Sequence, residues 1–187
     1  MKTKNFLHVL MVVICGLLLS GLMTSCRQNS NDPEDPKTQD TTPAFARAEA
    51  IATVSEDIIA LMDVTVEYYN DKGELKQELL TTPELKYEVK APLPTRTGMC
   101  LRVKLKDDAN LESYEQVDLS TSFAFRCAAV TKEDKIVGEE HRFDGGSTTV
   151  KLKSAGVEAW INSFNKHLPI KFLYEFDAEG NSQSVDW

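Results

Sequence analysis

Apolar and polar residues alternate along most of residues 44–187. Val64, Val66 and Tyr68 share one parity and Asp63, Thr65 and Glu67 the other, which predicts a strand with one buried face. Asn70-Asp71-Lys72-Gly73 is a turn, and residues 74–80 return as its hairpin partner. Leu85, Tyr87 and Val89 alternate with Glu84, Lys86, Glu88 and Lys90 in a third strand, stopped by Ala91-Pro92-Leu93-Pro94. Met99, Leu101, Val103 and Leu105 alternate with Arg102, Lys104 and Lys106 in a fourth. A polar loop (107–112) precedes a Phe- and Ala-rich strand over 120–130. Residues 132–135 turn it, and 136–143 return. Asp144-Gly145-Gly146-Ser147 reads as a further turn, followed by a strand over 148–153 with Val150 and Leu152 inward. Residues 170–177, a turn at 178–181 and residues 182–187 form a closing hairpin.

The period changes twice. Ser55-Glu56-Asp57 before Ile58, Ile59, Leu61 and Met62 has the cap and first-turn acids of a short helix. Ser154 precedes a helix over 155–167, where Val157, Trp160, Ile161 and Phe164 make one apolar stripe, and Pro169 ends it. Residues 44–52 are alanine-rich and fit helix or strand. Eight or nine short strands between turn signals predict a mainly β protein, an antiparallel Ig-like β-sandwich with a short helix near the start and one near the C-terminus. The later helix is expected to cover an open end or edge. One domain, 44–187, accounts for the pattern. A chain of about 140 residues buries roughly two-thirds of its unfolded surface, so it needs no covalent staple.

The first 43 residues follow different rules. Lys2 and Lys4 precede an almost wholly apolar run from Phe6 to Leu22, and small residues follow. That is the layout of a secretory signal, with no basic stop-transfer cluster behind it. Met23-Thr24-Ser25-Cys26 resembles the lipobox of bacterial lipoproteins, with Met23 where leucine is usual. The resemblance implies cleavage after residue 25, lipidation of Cys26, and anchoring to a membrane through acyl chains, each CH₂ contributing about 0.8 kcal/mol. Residues 27–43 hold three prolines and no large apolar side chain, so they read as a disordered tether with a reach of roughly 20–25 Å. Asp40-Thr41-Thr42 resembles the three-residue O-glycosylation site of Bacteroidetes proteins, which makes Thr41 a candidate acceptor. The chain as a whole is similar to the small secreted lipoproteins of such bacteria. That likeness implies an outer-membrane location, on the periplasmic or the cell-surface side.

Composition narrows the chemistry. The chain has 187 residues, 21 basic and 29 acidic, for a formal charge of −8. Losing Lys2 and Lys4 with the signal takes this to −10. Nucleic acid is excluded as a partner, because phosphate binding needs a concentrated basic surface. No phosphate loop, dinucleotide fingerprint or nucleophile elbow is present. His141 stands among Glu139, Glu140 and Asp144 without a second histidine at ligand spacing, so a solvated strand face is expected and no metal. His167 suits a helix C-terminus. The turns at 70–74 and 177–181 lack the alternating acids of calcium loops. Cys100 falls on the polar face of its strand and Cys127 on an apolar face. A secretory compartment leaves a Cys100–Cys127 disulfide open, while the opposite faces favour two thiols. Tyr68, Tyr69, Tyr87, Tyr114, Trp160 and Trp187 are candidates for a sugar-binding platform. No cofactor is implied. The expected function is a non-catalytic binding or accessory module of the cell envelope, with an envelope protein or glycan as partner. A structural subunit of a fimbria-like assembly is one alternative, and a small hydrolase the other.

Overall fold

The computed structural model describes residues 40–187, which belong to one compact unit. The residues read as a signal segment and lipobox, with Cys26 and residues 27–39, lie outside the described residues. Eleven strands are present: β1 (Phe45–Val54), β2 (Met62–Tyr69), β3 (Leu75–Leu80), β4 (Glu84–Pro92), β5 (Thr95–Leu105), β6 (Val117–Asp118), β7 (Thr121–Val130), β8 (Ile136–Thr148), β9 (Lys151–Leu152), β10 (Lys171–Phe176) and β11 (Ser182–Ser184). Two helices interrupt them, α1 (Glu56–Leu61) and α2 (Ser154–His167). The protein is mainly β, and every strand pair is antiparallel. One sheet has the order β4-β1-β7-β8, the second β11-β10-β5-β2-β3, and β6 and β9 form a small ribbon.

The two large sheets share one core. Its first component is the inner face of β1, where Ala46, Ala48, Ala50, Ala52 and Val54 are all buried. Alanine favours helix by intrinsic propensity. Here β1 lies between β4 and β7, and its small inner side chains face a layer of large ones. Phe125 of β7 stacks on Phe172 of β10 with centroids 4.4 Å apart, joining the sheets across the core. Met99, Leu101 and Val103 of β5 and Val64 and Val66 of β2 fill the remainder, none more than 3% exposed.

The alternation read from the sequence places the inner faces of β2, β4, β5 and β7 correctly. The described residues hold eleven strands against the eight or nine expected, β6 being unforeseen and β11 ending at Ser184, and two further segments differ. Residues 144–147 are not a turn. They continue β8, pairing Gly146 with Phe123 and Ser147 with Ser122. The two glycines are accommodated by a shift of register between Phe123 and Phe125, and Gly145 takes φ +110°. A bulge absorbs an extra residue and keeps the ladder going, so a Gly-Gly pair need not reverse the chain. The strand expected over 148–153 is correspondingly split. Thr148 ends β8, and only Lys151 and Leu152 form β9.

The helices close gaps. Lys106 Nζ donates to the carbonyls of Ile59 (2.7 Å) and Ala60 (3.1 Å), placing a cation at the C-terminus of α1. The stripe on α2 is seated as its spacing predicts, with Val157, Ile161 and Phe164 buried and Trp160 half-buried against Phe164. Asn165 of α2 binds both backbone groups of Val103. It accepts from the N–H at 3.0 Å and donates to the carbonyl at 2.7 Å. The part of β5 that runs past β10 therefore has its polar edge covered by a side-chain amide.

Gly98 of β5 allows β10 to approach. A Cβ there would stand 2.3 Å from the Phe172 carbonyl oxygen and 2.8 Å from the Leu173 Cα. Gly98→Ala is expected to lower unfolding stability by about 1–3 kcal/mol, because backbone cannot yield as a flexible side chain does. A shift of the urea midpoint with unchanged slope checks it.

Candidate binding cleft and the groups around it

The β2–β3 hairpin and β4 lie at the same side of the domain, one in each sheet. Between them is a cleft of about 580 Å³ lined by Tyr68, Tyr69, Tyr87, Glu78, Lys86 and Lys90, among others. Each side chain is placed by strand parity. Tyr68 and Tyr87 face inward and meet edge to face at 6.1 Å. Glu78 pairs with Val66 and so also faces inward, with the Tyr68 hydroxyl 3.5 Å away. Tyr87 forms the floor. It is buried, its hydroxyl donates to the Tyr69 carbonyl (2.8 Å) and lies 3.0 Å from Thr97 Oγ1, and burial pushes its pKa up to about 12. Half of the lining is apolar or aromatic and half is polar or charged, Asn70, Asp71 and Glu88 joining Glu78, Lys86 and Lys90, a mixture that suits a polar ligand with apolar faces.

Tyr69 has the opposite parity and faces the outer side of its sheet, where it meets Trp187 edge to face at 5.9 Å. Trp187 is held by Glu67. Three donors converge on one carboxylate oxygen, Glu67 Oε2: Trp187 Nε1 at 2.7 Å, Arg102 Nε at 3.1 Å and Cys100 Sγ at 3.4 Å. Burial raises the Glu67 pKa, but the three hydrogen bonds outweigh it and hold the carboxyl below its ordinary value. Of the six aromatic candidates, Tyr87 is buried in the core, Tyr68, Tyr114 and Trp160 are half-buried and packed against it, and Tyr69 and Trp187 are half-buried against each other on the outer side.

The remaining sequence candidates fall into place around this surface. Cys100 and Cys127 are both free and both buried. Cys100 sits on the outer face of one sheet, as its parity predicts, yet is fully covered beside the Glu67 junction. Cys127 faces the core of the other sheet, opposite Ala48. Burial raises both thiols, Cys127 to about 12. A buried neutral thiol is a poor nucleophile. Thr41 is exposed, and Thr42 N–H donates to Asp40 Oδ1 (2.9 Å) in a local turn around it.

The two acidic turns use their polar groups on themselves. Asn70 Oδ1 accepts from the N–H groups of Lys72 and Glu74, both at 2.9 Å. Asp177 Oδ1 accepts from Glu179 (3.0 Å) and Asn181 (2.8 Å). Gly73 and Gly180 supply the left-handed positions, with φ +72° and +80°. Among the described residues no group of three metal-ligating side chains is gathered.

His141 is not on a solvated face. It pairs with Cys127, turns inward, stacks on Tyr174 at 4.3 Å, and lies 2.6 Å from Ser182 Oγ through Nε2. Glu139 Oε1 stands 3.7 Å from its Nδ1. The imidazole and the hydroxyl clasp the two sheets where β8 and β11 meet. Nothing in the spacing of 141 and 182 announces this contact, because the sheets bring together residues 41 positions apart.

Comparison with protein-family models, with curated proteins and with solved structures gives no match to this chain. The fold and its cleft define a class: a mainly β domain of antiparallel sheets with an aromatic cleft at one side.

Glu67 gives the surface a pH dependence of known sign. Its folded pKa is depressed, so its contribution is present above the unfolded value of 4.5 and is lost as pH falls through the folded value. Acidification below about pH 4.5 is therefore expected to release Trp187, read as greater acrylamide quenching of its fluorescence, and Glu67→Gln should show that quenching at neutral pH.

Proposed function

We propose that this protein is a lipid-anchored lipoprotein of the outer membrane, tethered through Cys26. Its Ig-like β-sandwich domain serves as a non-catalytic binding or accessory module for a glycan or an envelope protein. The observation that carries the binding half is the cleft floored by Tyr87 and rimmed by Tyr68, Glu78, Lys86 and Lys90. Tyrosine supplies a large rigid face with a polar tip, which suits the mixed apolar and hydroxylated surface of a sugar or a polar peptide. The alternation of the chain between two sheets supports the Ig-like description. The anchoring half rests on Met23-Thr24-Ser25-Cys26 and the apolar run before it. Thr41, exposed beside the first strand, is available as an O-glycan acceptor.

The fimbria-like alternative draws on the open edge strands, and the hydrolase alternative on Ser182 and His141 at nucleophile–base distance. Glu139, the only acid paired with that histidine among the described residues, is 78% exposed, which makes it a weak orienting group.

Two measurements test the reading. Cells making the wild-type chain should incorporate labelled palmitate into it and keep it in the membrane fraction, and Cys26→Ser should abolish both. Among envelope polysaccharides and their oligosaccharides, at least one should raise the melting temperature of the wild-type domain. Tyr68→Ala should remove that shift while leaving the unliganded protein folded. An unlabelled wild-type chain overturns the anchoring, and a panel without any shift overturns the glycan ligand.

A further inference from the structure

β3 is an edge strand. It pairs with β2 on one side, and among the described residues no strand lies on the other. It is also uncovered. Every residue from Leu75 to Leu79 is exposed, and the two outward leucines are among the most exposed large apolar side chains described, Leu75 at 56% and Leu79 at 60%.

The hairpin fixes which backbone groups of β3 are free. Asn70 N–H donates to the Glu74 carbonyl (3.0 Å), and β2 and β3 continue in that register. Hydrogen-bonded pairs alternate in an antiparallel ladder. Lys76, Glu78 and Leu80 therefore exchange their hydrogen bonds with β2. Leu75, Gln77 and Leu79 turn their N–H and carbonyl groups to the open side.

We propose that β3 pairs antiparallel with β3 of a second copy of this chain, about a two-fold axis through Gln77. The strand is complementary to itself in that register alone. Leu75 of one copy then lies opposite Leu79 of the other on the outer face, twice. Lys76 lies opposite Glu78 on the inner face, also twice, and Gln77 meets Gln77 on the axis. The three residues with free backbone groups are the three that oppose one another, so the ladder closes with all of them paired. Slipping the register by two residues either way sets Lys76 against Lys76 or Glu78 against Glu78, and like charges opposite each other are destabilising. A slip by one presents backbone groups already used by β2. The resulting interface is isologous, as a two-fold contact requires.

The other edge strand of comparable exposure, β8, carries two register shifts against β7, between Phe123 and Phe125 and between Ala128 and Ala129. Such irregularities blunt an edge for pairing. β3 has none against β2.

Sedimentation equilibrium on residues 26–187 carrying Cys26→Ser tests this without acyl chains to drive association. That chain retains the whole core. The wild-type sequence is expected to show a reversible monomer–dimer equilibrium. Lys76→Glu and Glu78→Lys should each weaken it by roughly tenfold or more, since each replaces two attractive pairs by two repulsive ones. The double variant Lys76→Glu/Glu78→Lys should restore it, because the swapped charges again face their opposites. Gln77→Pro should be a folded monomer by circular dichroism, since its N–H faces solvent in the single copy and proline is tolerated at such an edge position. A wild-type chain that stays monomeric up to about 1 mM overturns the proposal. So does a double variant no stronger than the singles, or a Gln77→Pro chain that still dimerises.

Discussion

The distance between the two sheets is set by β1. It is the strand that both β4 and β7 pair with, and its inner face offers only alanines and one valine. Small side chains on one wall leave room that must be filled from elsewhere. Phe123 and Phe125 of β7, Tyr87 of β4 and Phe172 of β10 fill it, meeting one another at 4.4–6.3 Å. Replacing the alanines by larger residues would force the rings off their rotamers, because protein interiors have no slack volume. The aromatic layer and the alanine strand are thus one feature seen from two sides. The cleft depends on the same layer, since its floor, Tyr87, belongs to it.

Outside the core the chain satisfies its polar groups by side chains reaching over long sequence distances. Asn165 completes β5 at Val103, Lys106 closes the end of α1, and Ser55 and Asp57 both bind the backbone of Asp118. Among the described residues no buried side-chain nitrogen or oxygen lacks a partner. This is what allows a short domain with two free cysteines to dispense with a disulfide. Groups that could react are spent on structure: Glu67 on three donors, Asp177 on its own turn, His141 on an inter-sheet clasp, and the thiols on burial. What is left unspent is the aromatic cleft and the backbone edge of β3, both of which are binding features.

The parts of the fold that could be read from the chain were those with a single strong period. β2, β4, β5 and the helix α2 each show one parity or one stripe, and the structure seats them accordingly. Where local signals conflict, reading fails for identifiable reasons. Residues 45–54 carry helix propensity in their alanines, and only pairing on both sides makes them a strand. Gly145-Gly146 has the composition of a turn, and a shifted register absorbs it. Parity puts Cys100 on the polar face of its strand, where it lies, yet it is buried beside Glu67, which Trp187 returns to bind from 120 residues away.

The sequence by itself determined the strand class of the domain, the inward face of most strands, the turns at 70–73 and 178–181, and the stripe that seats α2. All of these follow from periodicity and local backbone chemistry, which act within a few residues. It also carries, in Leu75-Lys76-Gln77-Glu78-Leu79, a pattern whose reverse is complementary to it in charge. The assembled sheets settle that this segment is an edge, which of its backbone groups are free, that Tyr68 and Tyr87 meet in one cleft, and that His141 touches Ser182. Those facts depend on sheet order, and sheet order is fixed by how distant side chains share one core volume, a constraint that no local pattern encodes.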